Sequence, residues 1–256
     1  MKKKTMYSVA LMVAAVVLLL ISVPVHASKM DNSIESSAKK SYVFKTYLKS
    51  DDIKVQSKDG VVVLTGTVSE EHHKSLAQET VADLPGVKSV DNRLEVKGER
   101  PGEKSDAWIS TKVKTTLLFH RSVSAATEVN TKDGIVTLKG GADNQAQKDL
   151  TTEYAKDVEG VRDVRNEMTV SKTSKKTHRT AGEKVDDASI TAQVKMALLF
   201  HRSTSALKTK VTTKHGVVTL SGKAGNAAEK DLVTKIVDDV KGVKSVKNQM
   251  TIGESK

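Results

Sequence analysis

"KDGVVVLTG", Lys58 to Gly66, decides the fold, because it returns as "KDGIVTLKG" at Lys132 to Gly140 and as "KHGVVTLSG" at Lys214 to Gly222. The copies start 74 and then 82 residues apart. A second block, "LPGVKSVDNRLEV" (Leu84 to Val96), keeps the same offsets as "VEGVRDVRNEMTV" (Val158 to Val170) and "VKGVKSVKNQMTI" (Val240 to Ile252). Two blocks that move together mean that whole units were copied, and a repeat changes the meaning of every recurrent residue.

Each opening stretch reads as a hairpin: a glycine at the turn (Gly60, Gly134, Gly216), then "V-x-L-x-G" closing on Gly66, Gly140 or Gly222. Upstream, Ile109, Val113 and Thr116-Leu117 recur at helical spacing after Asp106, and Ile190, Val194 and Ala197-Leu198 do so after Asp187. This predicts a first helix capped by those aspartates. Downstream of Asn144 and Asn226, Leu150, Tyr154 and Val158, or Leu232, Ile236 and Val240, stand four apart on one face and predict a second helix ending at Gly160 or Gly242. Val164, Asn166, Met168 and Val170 then alternate along a last strand. The first copy repeats the plan less regularly, through Ile34, Ala38 and Tyr42, then Leu76, Thr80 and Leu84, then Val90, Asn92, Leu94 and Val96.

The expected fold class is therefore α+β: three tandem α-β-β-α-β modules, each a small three-stranded sheet packed against two helices. The modules fall at residues 31–97, 105–171 and 185–253, with linkers at 98–104 and 172–184. The second linker has five basic residues and one acid, and reads as a solvated tether. A module of about 65 residues is marginally stable alone, so the modules are expected to lean on one another.

At the N-terminus, Lys2, Lys3 and Lys4 precede an apolar run from Val9 to Val23, and Val25-His26-Ala27 follows. That is the order of a secretory signal peptide, residues 1–27, cleaved near Ala27. The chain has no cysteine, hence no disulfide and no thiol for a lipid anchor. A soluble exported protein of the periplasm, not a lipoprotein, is expected. Its 42 basic and 31 acidic residues become 39 and 31 once the three signal lysines are removed. In the envelope, that positive charge draws the protein to anionic surfaces. Export, and an aromatic content of 3%, argue against nucleic acid as a partner.

A glycine hairpin followed by "V-x-L-x-G" and closed by "G-V-x-x-V-x-N-x-[LM]-x-[VI]" resembles the BON domain, the module of the OsmY-like periplasmic proteins. The resemblance covers about Asp31 to Ile252 and occurs three times. It implies an exported envelope protein linked to osmotic stress, acting by association with phospholipid membranes or by chaperone-like help to exported proteins. It brings no catalytic residues. The matching positions, Gly60, Gly134 and Gly216, Gly66, Gly140 and Gly222, and Asn92, Asn166 and Asn248, carry structural roles in turn and strand. The alternative is a passive envelope scaffold without lipid binding.

The residues themselves show no chemistry that competes with this. No G-x-S-x-G elbow, dinucleotide fingerprint or P-loop is present, so no enzyme and no cofactor are expected. His72 and His73 are adjacent, and no histidine pair has the four-residue spacing of a helical zinc site, so no metal is expected. "LLFHRS" at Leu117 to Ser122 and at Leu198 to Ser203 ends the first helix of modules two and three. Arg121 and Arg202 read there as helix-end cations, with His120 and His201 solvated or capping. The first module has Phe44-Lys45 instead, a change that a reaction would not survive.

The candidate contact surface lies on the outer side of these helices. With Ile190 inward, Lys195, Met196 and Leu199 point away; Lys114 and Leu118 do so in module two, with Trp108 and Lys112 on a flank. Lysines around apolar side chains suit an anionic phospholipid surface or an exported client protein. The competing reading is that a neighbouring module covers this stripe.

Overall fold

A computed structural model of the protein describes residues 29–98, 102–123, 126–170, 184–204 and 208–253. The expected signal peptide and nearly all of the basic linker lie outside the described residues. Module one comprises α1 (Lys29–Lys40), α2 (Tyr42–Thr46), β1 (Asp52–Lys58), β2 (Val61–Val68), α3 (Glu71–Ala82) and β3 (Ser89–Val96). Module two comprises α4 (Asp106–Phe119), β4 (Glu128–Lys132), β5 (Ile135–Lys139), β6 (Gly141–Ala142), α5 (Gln145–Lys156), β7 (Asp163–Asn166) and β8 (Thr169–Val170). Module three comprises α6 (Asp187–Phe200), β9 (Thr209–Lys214), β10 (Val217–Ala224), α7 (Ala227–Asp238), β11 (Ser245–Asn248) and β12 (Thr251–Ile252).

The strand plan is the same three times. The first two strands pair antiparallel and the last joins the second in parallel, giving the orders β1-β2-β3, β4-β5-β7 and β9-β10-β11. Parallel pairing requires a crossover, which the second helix of each module supplies. Both residues of each hairpin turn have positive φ, as at Asp59 (54°) and Gly60 (80°) or His215 (54°) and Gly216 (81°). That conformation matches the twist of the flanking strands.

The aspartates expected to cap the first helices do something else. Asp187 accepts hydrogen bonds from the turn amides of His215 (2.6 Å) and Gly216 (2.8 Å), and Asp106 and Asp31 hold their own hairpins in the same way. The caps are one residue earlier: Ser105 accepts from the Trp108 amide and Asp186 from the Ser189 amide. Three expected elements are interrupted. The first helix of module one breaks at Ser41, whose hydroxyl donates to the Ala38 carbonyl and whose oxygen caps α2. The last strands of modules two and three split, into β7 and β8 and into β11 and β12, where the Met168 and Met250 amides donate to Asn166 and Asn248 Oδ1 and compete with the ladder.

The buried residues form three core clusters, and α6 contributes to two of them. Eleven of its fourteen residues are buried, among them Ala192, Gln193, Val194 and Met196. Ile190, Val194 and Leu198 pack into module three, whereas Ala188, Ala192, Met196 and Phe200 join Leu76, Leu84 and Tyr47 in the core of module one. Phe119, from module two, enters that core as well, edge-on to Tyr47.

Candidate functional site

The two LLFHRS segments meet. Leu117, Phe119, Leu198 and Phe200 are buried, which fixes where each helix ends, and the chain leaves α4 and α6 in extended conformation at His120 and His201. His120 forms an antiparallel bridge to Val240, and His201 forms one to Val158. The Arg121 amide donates to the Asp239 carbonyl and the Arg202 amide to the Asp157 carbonyl, both at 2.9 Å. Each copy of the motif therefore clasps the end of the second helix of the other module, in the manner of an isologous dimer interface.

At the centre, His120 Nε2 and His201 Nε2 are 3.1 Å apart, with the residues 0% and 2% exposed. His201 Nδ1 lies 2.8 Å from Asp157 Oδ2, and the Ser203 hydroxyl donates to the same carboxylate. His120 Nδ1 is 3.3 Å from Asp239 Oδ2 without the alignment of a hydrogen bond, so that contact is electrostatic. Asp239 accepts instead from the Ser122 and Tyr154 hydroxyls. The Tyr154 ring stacks on His120, with centroids 3.9 Å apart.

An Nε2–Nε2 contact of this length needs one donor and one acceptor. With His201 Nδ1 donating to Asp157, its Nε2 accepts, and the bridging proton is on His120. A second proton on Nε2 would set two N–H groups against each other. Burial pushes His120 below its ordinary pKa, against the pull of Asp239. Burial raises Asp157 and Asp239, but hydrogen bonds from His201 and Ser203 to the first, and from Ser122 and Tyr154 to the second with His120 close by, outweigh it and leave both below the usual carboxylate value. Burial and the charge of Asp239 push the Tyr154 phenol well up. Both serine hydroxyls donate to a carboxylate, Ser122 to Asp239 and Ser203 to Asp157.

These placements correct the expectation for the motif. His120 and His201 are buried, not solvated. Arg121 turns away from its own helix end and donates to Asp238 and to the Val243 carbonyl of module three. Sequence periodicity located the motif but carries no information about what faces it across a module boundary.

The expected contact stripe divides. Met196 is 2% exposed, buried against module one, and Lys195 is held by Glu79 at 2.7 Å. Leu118 is half-buried against the same core. The helical wheel identified the side of α6 away from its own sheet; that side packs on α3, so Met196 is no surface anchor. Leu199 (49% exposed) and Lys114 remain outside. Trp108 is half-buried beneath Lys112, whose Nζ is 3.8 Å from the ring centroid and 3.6 Å from Glu159.

Asn92, Asn166 and Asn248 each donate from Nδ2 to a carbonyl of the second helix, those of Lys74, Lys148 and Lys230. Each also accepts at Oδ1 from the amide two residues on. Among the described residues, no group of three histidine or acidic side chains is arranged to hold a metal ion. His73 pairs with Asp51 at 2.6 Å and His72 with Glu70 at 3.2 Å. No described helix is long and apolar enough to cross a membrane.

Comparison with known proteins agrees with this architecture. The BON domain family model matches residues 30–98, 105–172 and 186–254. Osmotically-inducible protein Y of Escherichia coli K12 is 32% identical over 185 residues, covering 67% of this chain and 90% of that protein. Outer membrane lipoprotein DolP of Haemophilus influenzae is 30% identical over 143 residues, covering 55% of this chain and 71% of the relative.

Proposed function

Because this chain belongs to the BON family and carries three of its domains, we propose that it is a non-enzymatic protein of the periplasm, active in osmotic or envelope stress, that binds anionic phospholipid surfaces by charge. The names of its relatives, one osmotically inducible and one an outer membrane lipoprotein, support the setting. One observation favours charge over grease: packing against module one consumes the apolar stripe of α6. The large exposed apolar side chains among the described residues, Met30, Val61, Val170, Leu199 and Ile252, come from five different elements. A chaperone for unfolded chains needs a continuous apolar surface. An electrostatic membrane binder needs only excess cations, and with the three signal lysines removed the chain keeps 39 basic against 31 acidic residues, a net of +8.

Co-sedimentation of the mature protein with vesicles of rising phosphatidylglycerol content, over a salt series, tests this. Binding should grow with the anionic fraction and fade as salt screens the charges. Absence of binding at low salt, or binding indifferent to salt, overturns it and leaves the scaffold role.

A further inference from the structure

A cavity of about 820 Å³ opens where all three modules meet. Tyr42 reaches it from module one and Arg121 from module two, Lys184 ends the basic linker, and Asp187, Lys241 and Lys244 belong to module three. Four cationic side chains and two carboxylates line it, the second being Asp186. Those carboxylates are engaged elsewhere: Asp186 accepts from the Tyr42 and Ser189 amides, and Asp187 from the His215 and Gly216 amides. Arg121 is balanced by Asp238.

The three lysines are not balanced. Among the described residues no carboxylate lies within ion-pair distance of Lys184, Lys241 or Lys244; Lys244 Nζ donates only to the His215 carbonyl, at 3.0 Å. Lys241 is half-buried, and burial, unopposed by any acid, pushes its ammonium below the usual range. A partly desolvated cation without a counter-charge gains strongly from an anion that brings several acceptor oxygens. Lysine point charges suit phosphate, which accepts from many directions. The volume lies in the range of small-molecule sites, roughly 300–1,000 Å³, and leaves room for a polar group attached to the phosphate.

We infer that this three-module cleft binds a phosphate group carried on a headgroup-sized ligand. Its source, on the reading above, is the headgroup of an anionic phospholipid; a soluble phosphate ester offers the same chemistry. The site exists only while the three modules are packed together.

The test uses the full mature chain, as wild type, as Lys241→Gln with Lys244→Gln, and as a charge-matched control, Lys54→Gln with Lys58→Gln, on exposed positions of β1. Each is titrated with glycerol 3-phosphate and, separately, with phosphatidylglycerol vesicles. The cleft variant should bind glycerol 3-phosphate at least about tenfold more weakly, as expected for loss of charge-assisted contacts, while the control stays near wild type. A cleft variant that binds both probes as the wild type does overturns the inference, and so does a wild type that binds vesicles but no glycerol 3-phosphate, a result that spares the membrane reading. If the wild type ignores vesicles yet binds glycerol 3-phosphate through Lys241 and Lys244, the cleft stands with a soluble ester as its ligand and the membrane reading falls. Lys241→Gln alone serves if the double variant melts early.

Discussion

The Nε2 atoms of His120 and His201 face each other at 3.1 Å across the junction of two modules, each ring with a carboxylate behind it. The cluster is bounded by Asp157, Asp239, Tyr154, Ser122 and Ser203, with Arg121 and Arg202 at its rim. It accommodates one bridging proton and resists a second.

This makes the junction sensitive to acid. His120 binds a proton less readily in the folded chain than at its ordinary value of 6.5, so its contribution to stability is complete above that value and is lost as pH falls through it. Asp157 and Asp239 lie below 3.8, and their contribution disappears only in a second, lower window. Thermal melts should be flat from pH 8 to 7 and decline below about 6.5. Replacing both histidines with glutamine should shrink that decline; a slope from His73, also pushed down by burial, should persist. An undiminished decline in the double variant would show that the pair does not sense pH.

Adjacent aspartates should behave oppositely. Asp238 is exposed and pairs with Arg121, so Asp238→Ala should change stability by no more than about 0.5 kcal/mol in urea titrations. Asp239→Ala removes the acceptor of Ser122 and Tyr154 and strands a buried ring, at a cost of about 2–4 kcal/mol.

On α6 the contrast is between neighbours three apart. Met196→Ala opens a void between modules one and three and should cost about 2–5 kcal/mol, whereas Leu199→Ala should stay within about 0.5 kcal/mol. Equal losses would mean that module one does not cover the helix.

The glycine closing the second strand has φ near 120° in all three modules, but its surroundings differ. An added Cβ would lie 2.0 Å from the Lys208 carbonyl oxygen at Gly222, against 3.2 Å from that of Ala126 at Gly140. Gly222→Ala should therefore lower the melting temperature clearly more than Gly140→Ala, since its Cβ would overlap a backbone carbonyl that the Cβ at Gly140 only crowds.

Much of this fold was legible in the sequence because period and turn chemistry are local. The hairpins at Asp59-Gly60 and His215-Gly216, the crossover helices and the alternating last strands all follow from spacing within one module. What stayed hidden depends on contacts between residues far apart in the chain. Asp187 looked like a cap because its hairpin partners are 28 and 29 residues away. Met196 looked outward because a helical wheel knows one neighbour and α6 has three. A signal for the clasp was present: identical LLFHRS segments, in the two modules that also carry Asp157 and Asp239 at matching positions, mark an interface of like with like. Lys45, where module one lacks the histidine, marks that module as the one outside the clasp.

The clasp joins modules two and three, two of the three that form the cationic cleft, and nitrogen-15 magnetic resonance of labelled histidine tests it most directly. At neutral pH, a coupling transmitted through the shared hydrogen bond should connect His120 Nε2 with His201 Nε2 and vanish in acid. Two imidazoles that titrate independently near 6.5, with no coupling between them, would contradict it.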